Sequence, residues 1–237
     1  MSILNTLKLN SRLQFKQLLP AQPCVLCGTM SHEGLWCAAC NREMPYFDAP
    51  HCPVCGLITP TASLCGRCLT KPPAFARTTT AFYYRFPIDR LIQSLKYHSQ
   101  LALAPTLAKK LLDQIDEIPD LVIPMPLHPA KLKERGFNQA SLIATPIANT
   151  LRIDMNDDAC HRLRNTPSQT ALPWNERESN VRDAFDCTLD LSEKHIALVD
   201  DVMTTGASMN ELARAVQKRG AKKISIWIVA RATTNFY

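Results

Sequence analysis

The feature that most constrains this chain is the spacing of the cysteines in its first third. Eight of its ten cysteines form four C-x-x-C pairs, and the last two pairs repeat the first two at an offset of 28 residues. The pairs are Cys24/Cys27, Cys37/Cys40, Cys52/Cys55 and Cys65/Cys68. A C-x-x-C turn places two thiolates on one side of the backbone, which is half of a tetrahedral metal site. The repeat therefore predicts two small metal-binding modules between residues 24 and 71.

Zinc is the metal that suits these modules best. Thiolates bind zinc tightly, and the bound ion supplies folding free energy that so short a segment cannot obtain from an apolar core. Gly28 and Gly56 follow the first pair of each module, where a positive φ brings backbone amides close to sulfur. We therefore expect two structural zinc sites. Sequential pairing within each module gives two equivalent sites, although the spacing also permits a crossed pairing of 24/27 with 52/55.

A disulfide framework and a redox role are the alternatives for the cysteine pairs. Structural disulfides need an oxidising compartment, whereas segment 1–23 fits an amphipathic helix interrupted by basic residues and lacks the continuous apolar stretch of a secretion signal. Four copies at a fixed repeat are not typical of a redox motif. Cys160 and Cys187 stand apart from the pairs and are expected to be small buried residues rather than nucleophiles.

Composition narrows the class of protein further. The chain has 237 residues, 46% of them hydrophobic, so a packed core is expected. No apolar run approaches the ~20 residues that a membrane-spanning helix needs. The chain is accordingly expected in the cytoplasm, with weak contact of segment 1–23 with the inner membrane as a second interpretation. The net charge of +6 permits a phosphate-bearing ligand or nucleic acid without demanding either.

A second region, 72–237, begins at a pair of prolines and alternates strand and helix patterns. Apolar runs predict buried strands at 80–86, 120–125, 195–200 and 222–230, and helical patterns occupy 87–97, 100–115, 138–151 and 206–220. Pro146 is expected to kink or break the third helix. This alternation predicts an α/β fold, a parallel sheet flanked by helices, with ligands beyond the carboxyl ends of the strands. The polar segment 152–185 is too long for filler and is predicted to form a hood over the ligand.

Two adjacent acids, Asp200 and Asp201, end one of the predicted strands, and the turn TTGAS follows them. A helix cap explains one acid at most. A magnesium site of the nucleotide-hydrolysing type would need a G-x-x-x-x-G-K-[ST] loop, which the chain lacks. The third interpretation is that the acids bind the hydroxyls of a ribose, while the amides and hydroxyls of the turn bind its 5-phosphate at a helix N-terminus.

The stretch VDDVMTTGAS resembles the PRPP-binding motif of type I phosphoribosyltransferases. Together with the paired C-x-x-C ribbons, CGRC-x-x-x-PP, LKY, VIPMPLHP…RGFNQ and NTPSQT…NVRDAF, it makes the chain similar to the ComF (ComFC/GntX-like) family. The resemblance implies a type I phosphoribosyltransferase-like fold preceded by a double zinc ribbon. It also implies PRPP as ligand together with Mg²⁺.

The resemblance implies ligand-binding roles for a set of residues in this chain. It places Asp200 and Asp201 at the ribose hydroxyls and Mg²⁺, with residues 204–208 as the 5-phosphate loop. The PRPP- and phosphate-binding set is Thr204, Thr205, Gly206, Ala207, Ser208, Pro126, Leu127, His128, Arg135, Arg162, Gln169, Arg177 and Arg182. Lys96 is divided between the ligand site and the surface. Phosphoribosyltransferases for 6-oxopurines usually have an aspartate where this chain has Thr204, which argues against that substrate class.

The function that the resemblance implies is uptake of transforming single-stranded DNA in natural competence. Single-stranded DNA, a DNA-uptake helicase and replication-restart proteins are the partners implied. Two alternatives stay open: a non-catalytic module that binds a 5′-phosphorylated nucleotide or single-stranded DNA, and phosphoribosyl transfer to a small acceptor in nucleotide metabolism. The sequence names no acceptor, so the activity of a phosphoribosyltransferase is not assigned from it.

Overall fold

The computed structural model describes residues 21–32, 34–165 and 181–233. The chain forms two compact units, Met1–Met44 and Pro45–Tyr237, so the division falls between the two cysteine modules and not at the predicted boundary near residue 72. Most of the predicted amphipathic segment, residues 1–20, lies outside the described residues. Within the described part of the chain, no helix is long and apolar enough to cross a membrane.

The first unit holds the first cysteine module. Strands β1 (Gln22–Pro23) and β2 (Met30–Ser31) pair antiparallel, and the short helix α1 (Ala38–Arg42) follows. Trp36 is buried, and its indole N–H donates to Asn41 Oδ1 at 3.0 Å. The Ser31 hydroxyl donates to the Trp36 carbonyl at 3.3 Å. One aromatic side chain therefore supplies much of the apolar interior of this module.

The second cysteine module belongs to the same unit as the sheet. Its short helix α2 (Gly66–Thr70) begins directly after Cys65 and contains Cys68. Its first C-x-x-C turn lies on the edge strand of the sheet, where Thr78 N–H donates to the Pro53 carbonyl at 3.2 Å and the Thr78 hydroxyl to the Val54 carbonyl at 2.6 Å. These bonds give a physical reason why the compact unit includes this module.

The sheet of the second unit is fully parallel, as predicted. Its strands are β3 (Arg77–Tyr83), β4 (Leu121–Pro124), β5 (Asp154–Met155), β8 (His195–Met203) and β9 (Lys223–Arg231), in the order β3-β9-β8-β4-β5. The central strands read as nearly continuous apolar runs because helices cover both faces of such a sheet. Strands β8 and β9 lie in its middle, which places the end of β8 at the centre of the carboxyl edge.

Helices connect the strands, four of them at the positions that the sequence predicts. They are α3 (Ile88–Tyr97), α4 (Leu103–Leu112), α5 (Pro129–Arg135), α6 (Gln139–Leu151) and α7 (Ala207–Gln217). Helix α5 was not predicted. Of the kink or break expected at Pro146, the break is wrong, because α6 continues through it to Leu151. Proline removes a single backbone donor, and the apolar face of α6, including Ile143 and Ile147, stays buried on both sides of it.

Part of the predicted hood is regular structure. Within 152–185, β5 joins the sheet, and β6 (Cys160–Arg162) pairs antiparallel with β7 (Phe185–Cys187). The hood residues 166–180 lie outside the described residues. Cys160 and Cys187 are buried as expected, but they do not stand alone: they are directly opposite each other on β6 and β7.

Candidate functional site

The acidic pair lies in strand β8 at the edge of a cavity of about 510 Å³. The expectation that the strand stops at Asp200 is wrong, because β8 continues to Met203, which pairs with Arg231 of β9. Alternation along a strand turns successive side chains to opposite faces. Asp201 is accordingly 2% exposed, whereas Asp200 is only partly buried. Both line the cavity.

A chain of polar contacts fixes Asp201. Lys96, at the end of α3, forms an ion pair with Asp201 Oδ2. Gln139, the first residue of α6, donates from Nε2 to Asp201 Oδ1 at 3.4 Å and accepts at Oε1 from the Arg135 guanidinium. Lys96 thus lies at the cavity beside the acidic pair. Gln139 was not among the predicted site residues, although a buried amide on the apolar face of a helix is a signal for one.

The two carboxyl groups differ in acidity because they share one cation. Burial raises the pKa of Asp201, but the Lys96 ammonium together with hydrogen bonds from Asp200 and Gln139 lowers the pKa below its ordinary value. Burial and the neighbouring Asp201 carboxylate together raise the pKa of Asp200 well above its ordinary value. Burial lowers the pKa of Lys96, but both carboxylates outweigh this, so its pKa is raised. Among the described residues, the Lys96 ammonium therefore compensates Asp201 more than Asp200.

The turn after β8 has the form of an anion site. Gly206 caps α7 at φ +80°, a conformation in which a side chain is strained. Thr204, Gly206 and Ser208 line the cavity. Thr205 is buried behind them, and its hydroxyl accepts from the Ala207 N–H at 3.2 Å. Helix α7 thus points its N-terminus, with its partial positive charge, toward the cavity.

The loop after β4 contributes a second wall. Of the three residues predicted there, Leu127 lines the cavity. Pro126 is buried, and His128 caps α5 by accepting from the Ala130 N–H at 3.2 Å. Arg135 lines the cavity together with Lys131, which was not predicted. Cations therefore approach the acidic pair from α5 as well as from α3.

The hood contributes one described arginine to the cavity. Arg162, at the end of β6, lines it, and its guanidinium lies 5.4 Å from the centre of the Phe185 ring. Arg182 is exposed, and its backbone carbonyl accepts from Arg164. Gln169 and Arg177 lie outside the described residues. Two tyrosines complete the wall: Tyr84, and Tyr97, whose ring lies 5.5 Å from the Arg135 guanidinium.

The eight paired cysteines form two clusters of four, paired sequentially. One comprises Cys24, Cys27, Cys37 and Cys40, the other Cys52, Cys55, Cys65 and Cys68, and in each the sulfur atoms lie within 4.8 Å of one another. The sulfur–sulfur distances Cys27–Cys37 and Cys55–Cys65 are 3.8 and 3.5 Å. A tetrahedron with zinc–sulfur bonds of ~2.3 Å has edges of about 3.8 Å. The clusters therefore fit one zinc ion each.

Backbone amides favour the thiolate form in both clusters. Burial raises the pKa of Cys24, but the amides of Cys27, Cys37 and Leu26 lower it to about 6. Burial raises the pKa of Cys52 in the same way, and amides of its own cluster lower it to about 7. Zinc binds the thiolate and not the thiol, so Cys24 and Cys52 are disposed toward the metal. Hydrogen bonding with Cys27 raises the pKa of Cys40, and burial raises that of Cys68, because these thiols share their clusters with other sulfurs.

Comparison with known proteins agrees with this architecture. The family described as double zinc ribbon domain matches residues 15–69, and the phosphoribosyl transferase domain family matches residues 138–234. Among solved structures, a purine phosphoribosyltransferase from Pyrococcus horikoshii is 21% identical over 65% of this chain and 77% of that one, with a TM-score of 0.31. The glutamine PRPP amidotransferase of Bacillus subtilis covers 53% of this chain and 25% of its own, at 18% identity and a TM-score of 0.38.

The fold and the two cysteine clusters define a phosphoribosyltransferase-type α/β protein that carries a double zinc ribbon. The DNA utilization protein YhgH of Escherichia coli is 33% identical over 88% of this chain and 96% of its own length. Competence protein F of Haemophilus influenzae is 31% identical over 83% and 90%. Competence protein ComFC of Bacillus subtilis is 21% identical over 83% and 84%. The chain belongs to this ComF family of competence and DNA utilization proteins.

Proposed function

We propose that the cavity binds PRPP, or a related 5-phosphorylated ribose, together with Mg²⁺, and that this site serves the uptake of transforming single-stranded DNA. The observation that carries the proposal is the acidic pair beside the turn at residues 204–208. Asp200 and Asp201 offer carboxylate oxygens for the 2- and 3-hydroxyls of a ribose. The turn lies at a helix N-terminus, where a phosphate is favoured.

The charges around the cavity support a doubly phosphorylated ligand. Lys131, Arg135 and Arg162 line it together with Glu134, and these three cations would receive the pyrophosphate of PRPP if its 5-phosphate occupies the turn. Arginine and lysine suit phosphate oxygens because each donates charged hydrogen bonds. Two separate groups of donors, one cationic and one made of backbone amides, match the two phosphate groups of PRPP.

The acidic pair also fits a hard cation. Mg²⁺ prefers carboxylate and phosphate oxygens, and Asp200 is held beside a second carboxylate with one ammonium for the two. When bound, Mg²⁺ would supply charge that neutralises the pyrophosphate. The chain's own part is to hold the ribose at Asp200 and Asp201, the 5-phosphate at the turn and the pyrophosphate at the basic wall.

The role in DNA uptake rests on the relatives. The chain covers 90% of competence protein F and 84% of ComFC, so it contains nearly the whole of both. In a naturally competent host, we expect an Asp200→Ala strain to lose transformation, with Asp113→Ala as the surface control. Normal transformation of the Asp200→Ala strain, at normal protein levels, would contradict a role of the cavity in uptake.

Calorimetric titration tests the ligand directly. Zinc-loaded full-length protein is titrated with PRPP in the presence and absence of Mg²⁺, and we expect saturable binding that needs the metal. Asp200→Asn should weaken it by at least about tenfold, the loss of one charged hydrogen bond or more. Asp113→Asn, which removes an exposed carboxylate outside the cavity, is the matched control. Absence of binding to the folded wild-type protein would overturn the ligand assignment.

A second candidate is a non-catalytic module for single-stranded DNA. The observation in its favour is Tyr97, which is 66% exposed beside Arg135 at the cavity, because exposed aromatic rings near cations stack bases. Salt-dependent binding of an oligonucleotide, with and without PRPP, separates the candidates. If Tyr97→Ala abolishes DNA binding while PRPP binding persists, the two ligands use different parts of the site. Release of pyrophosphate on adding candidate acceptors tests phosphoribosyl transfer.

A further inference from the structure

Two arginines connect the second ribbon (residues 52–68) to the back of the phosphate turn at residues 204–208. Arg231, the last residue of β9, is 1% exposed. Its Nε donates to the Cys55 carbonyl at 2.8 Å, and one terminal nitrogen donates to the Met203 carbonyl at 2.8 Å and to the Thr204 carbonyl. A single buried guanidinium thus binds both a zinc-ligating turn and the start of the phosphate turn.

Arg67 makes the second connection. It lies in α2 between two cysteines of the second cluster, and its guanidinium donates to the Thr205 carbonyl at 2.9 Å. Three successive carbonyls, those of Met203, Thr204 and Thr205, are therefore held by cations that are themselves held by the second ribbon. The ribbon supports the whole first half of the turn.

Because peptide bonds are planar, holding these carbonyls also fixes the direction of the backbone N–H groups that would bind the anion. In a trans peptide the carbonyl and the next N–H point in opposite directions. When the Thr204 and Thr205 carbonyls point toward the arginines, the N–H groups of Thr205 and Gly206 point away from them. Gly206 lies on the cavity wall. The ribbon therefore sets the direction of the backbone donors that the turn offers to an anion.

The charge of the zinc-loaded second cluster also stabilises the two arginines that hold the turn. A site of four cysteine thiolates with Zn²⁺ carries a net charge of about −2, because the thiolates outweigh the metal. Arg67 and Arg231 bring two positive charges to the same place. Zinc would also hold in place the turn that carries the Cys55 carbonyl and the helix that carries Arg67, and both contact the phosphate turn directly or through Arg231.

We propose that Arg231 and Arg67 are positioning residues through which the second ribbon, when it holds zinc, orients the turn at residues 204–208 for the 5-phosphate. The inference rests on the proposed function, because it assumes that this turn binds the phosphate. It assigns the two ribbons different roles. The second ribbon sets the affinity for the phosphorylated ribose, while the first provides a matched control in the other compact unit.

The test uses two ligands that probe the two ends of the cavity. Zinc-loaded full-length protein is titrated with ribose 5-phosphate and, separately, with Mg²⁺-pyrophosphate. We expect Arg67→Gln to weaken ribose 5-phosphate binding by about tenfold and to leave pyrophosphate binding unchanged. Arg67→Lys should restore part of the affinity, because the ammonium keeps the charge. Arg67 is partly exposed, so these variants test the role without the risk of unfolding that the buried Arg231 brings.

A second pair of variants tests the part played by zinc and compares cysteines at equivalent positions of the two ribbons. Cys65→Ser and Cys37→Ser alter the residues that cap α2 and α1, and zinc content and circular dichroism are measured for both. Both variants should lose zinc from one cluster, but only Cys65→Ser should weaken ribose 5-phosphate binding.

The outcomes separate the two levels of the proposal. If the wild-type protein binds neither ligand, the proposed function fails and this inference fails with it. If the wild-type protein binds ribose 5-phosphate and the Arg67 and Cys65 variants bind it equally well, only the inference is overturned. An equal loss of both ligands in Arg67→Gln would show a general structural effect and would also overturn the positioning role.

Discussion

The two ribbons share their cysteine spacing but differ in what surrounds them. The first lies in a unit whose small interior centres on Trp36. The second lies in the same unit as the parallel sheet and bonds to β3 and β9. Its sulfurs are also better covered: Cys68 is buried where Cys40 is not, and Cys55 is half-buried where Cys27 is exposed. An identical metal motif can therefore be a self-contained module in one place and a support for a ligand site in another.

Stepwise removal of the two zinc ions should have the largest effect on the unfolding temperature. Because the first cluster is more exposed, we expect a chelator to take its zinc first and to leave the unfolding temperature of the main transition nearly unchanged. Loss of the second zinc should lower that temperature by at least roughly 10 °C, since a structural zinc contributes several kcal/mol of folding free energy and each kcal/mol lost corresponds to about 2–4 °C at this chain length. Zinc release followed by a chromophoric chelator, with calorimetry at each stage, measures both. Simultaneous release of both ions would remove the distinction between the ribbons.

Breaking the Lys96–Asp201 ion pair should have the next largest effect. Lys96→Met leaves a carboxylate that is 2% exposed without its cation. A fully buried pair that loses one partner costs about 3–5 kcal/mol, and because Lys96 is partly exposed we expect about 2–3 kcal/mol in the free energy of unfolding. Denaturant titration measures the loss.

Lys96→Met also tests whether the second ribbon responds to the turn at residues 204–208 alone. Lys96 acts on the cavity from α3 through its ion pair with Asp201, whereas Arg67 and Arg231 bind the carbonyls of the turn, so both zinc ions should be retained in Lys96→Met. The matched control is Lys109→Met, which removes an ammonium from the last turn of α4. Release of the second zinc in Lys96→Met alone would mean that the ribbon responds to the cavity as a whole rather than to the turn.

Replacing Asp200 should have a smaller effect on stability, and it should stabilise the ligand-free protein instead of destabilising it. Because its folded pKa is raised, the folded protein keeps a proton that the unfolded chain loses first. Stability from this group is therefore full below the ordinary aspartate pKa and falls as pH rises through the raised value. Asp200→Asn should remove this dependence and raise the unfolding temperature of ligand-free protein at pH 7 by about 2–4 °C.

The measurement for Asp200 is thermal unfolding at several pH values without Mg²⁺ or ligand. Asp113→Asn serves as the surface control and should follow the wild-type curve. A variant that is more stable and yet does not bind PRPP would mark Asp200 as a residue kept for function at the expense of stability. A wild-type curve that rises between mildly acidic and neutral pH, with no gain in Asp200→Asn, would contradict the raised pKa.

The sequence predicted correctly those features that are determined by residues close together in the chain. The cysteine clusters depend on short spacings, and the buried strands on short apolar runs, so both were predictable. The turn at residues 204–208 was recognisable because its glycine and hydroxyls are adjacent. Pro146 misled because the apolar face of α6 outweighs one lost hydrogen bond. The strand end at Asp200 was misplaced because pairing with β9 carries β8 three residues farther.

The residues that sequence reasoning missed act across long separations. Arg231 ends an apolar strand pattern and meets Cys55, 176 positions earlier in the chain. Gln139 meets Asp201 at a separation of 62 positions. Neither partner can be identified without the topology that brings β8, β9 and α6 together. Arg231 nevertheless left one local signal: a charged residue at the end of a fully buried strand requires partners that the strand itself cannot supply.

The smallest predicted effect compares one hydroxyl bonded to each ribbon: Ser31 within the first, and Thr78 of β3 against the second. Thr78→Val removes the bond to the Val54 carbonyl at 2.6 Å, and Ser31→Ala removes the bond to the Trp36 carbonyl at 3.3 Å. Each should cost about 1 kcal/mol of local stability. If the second ribbon is anchored by the sheet, Thr78→Val should speed release of its zinc and lower the main unfolding temperature, whereas Ser31→Ala should affect only the first zinc. Equal effects of the two variants on the main transition would mean that the first ribbon also supports the sheet, and would contradict the distinction between the ribbons.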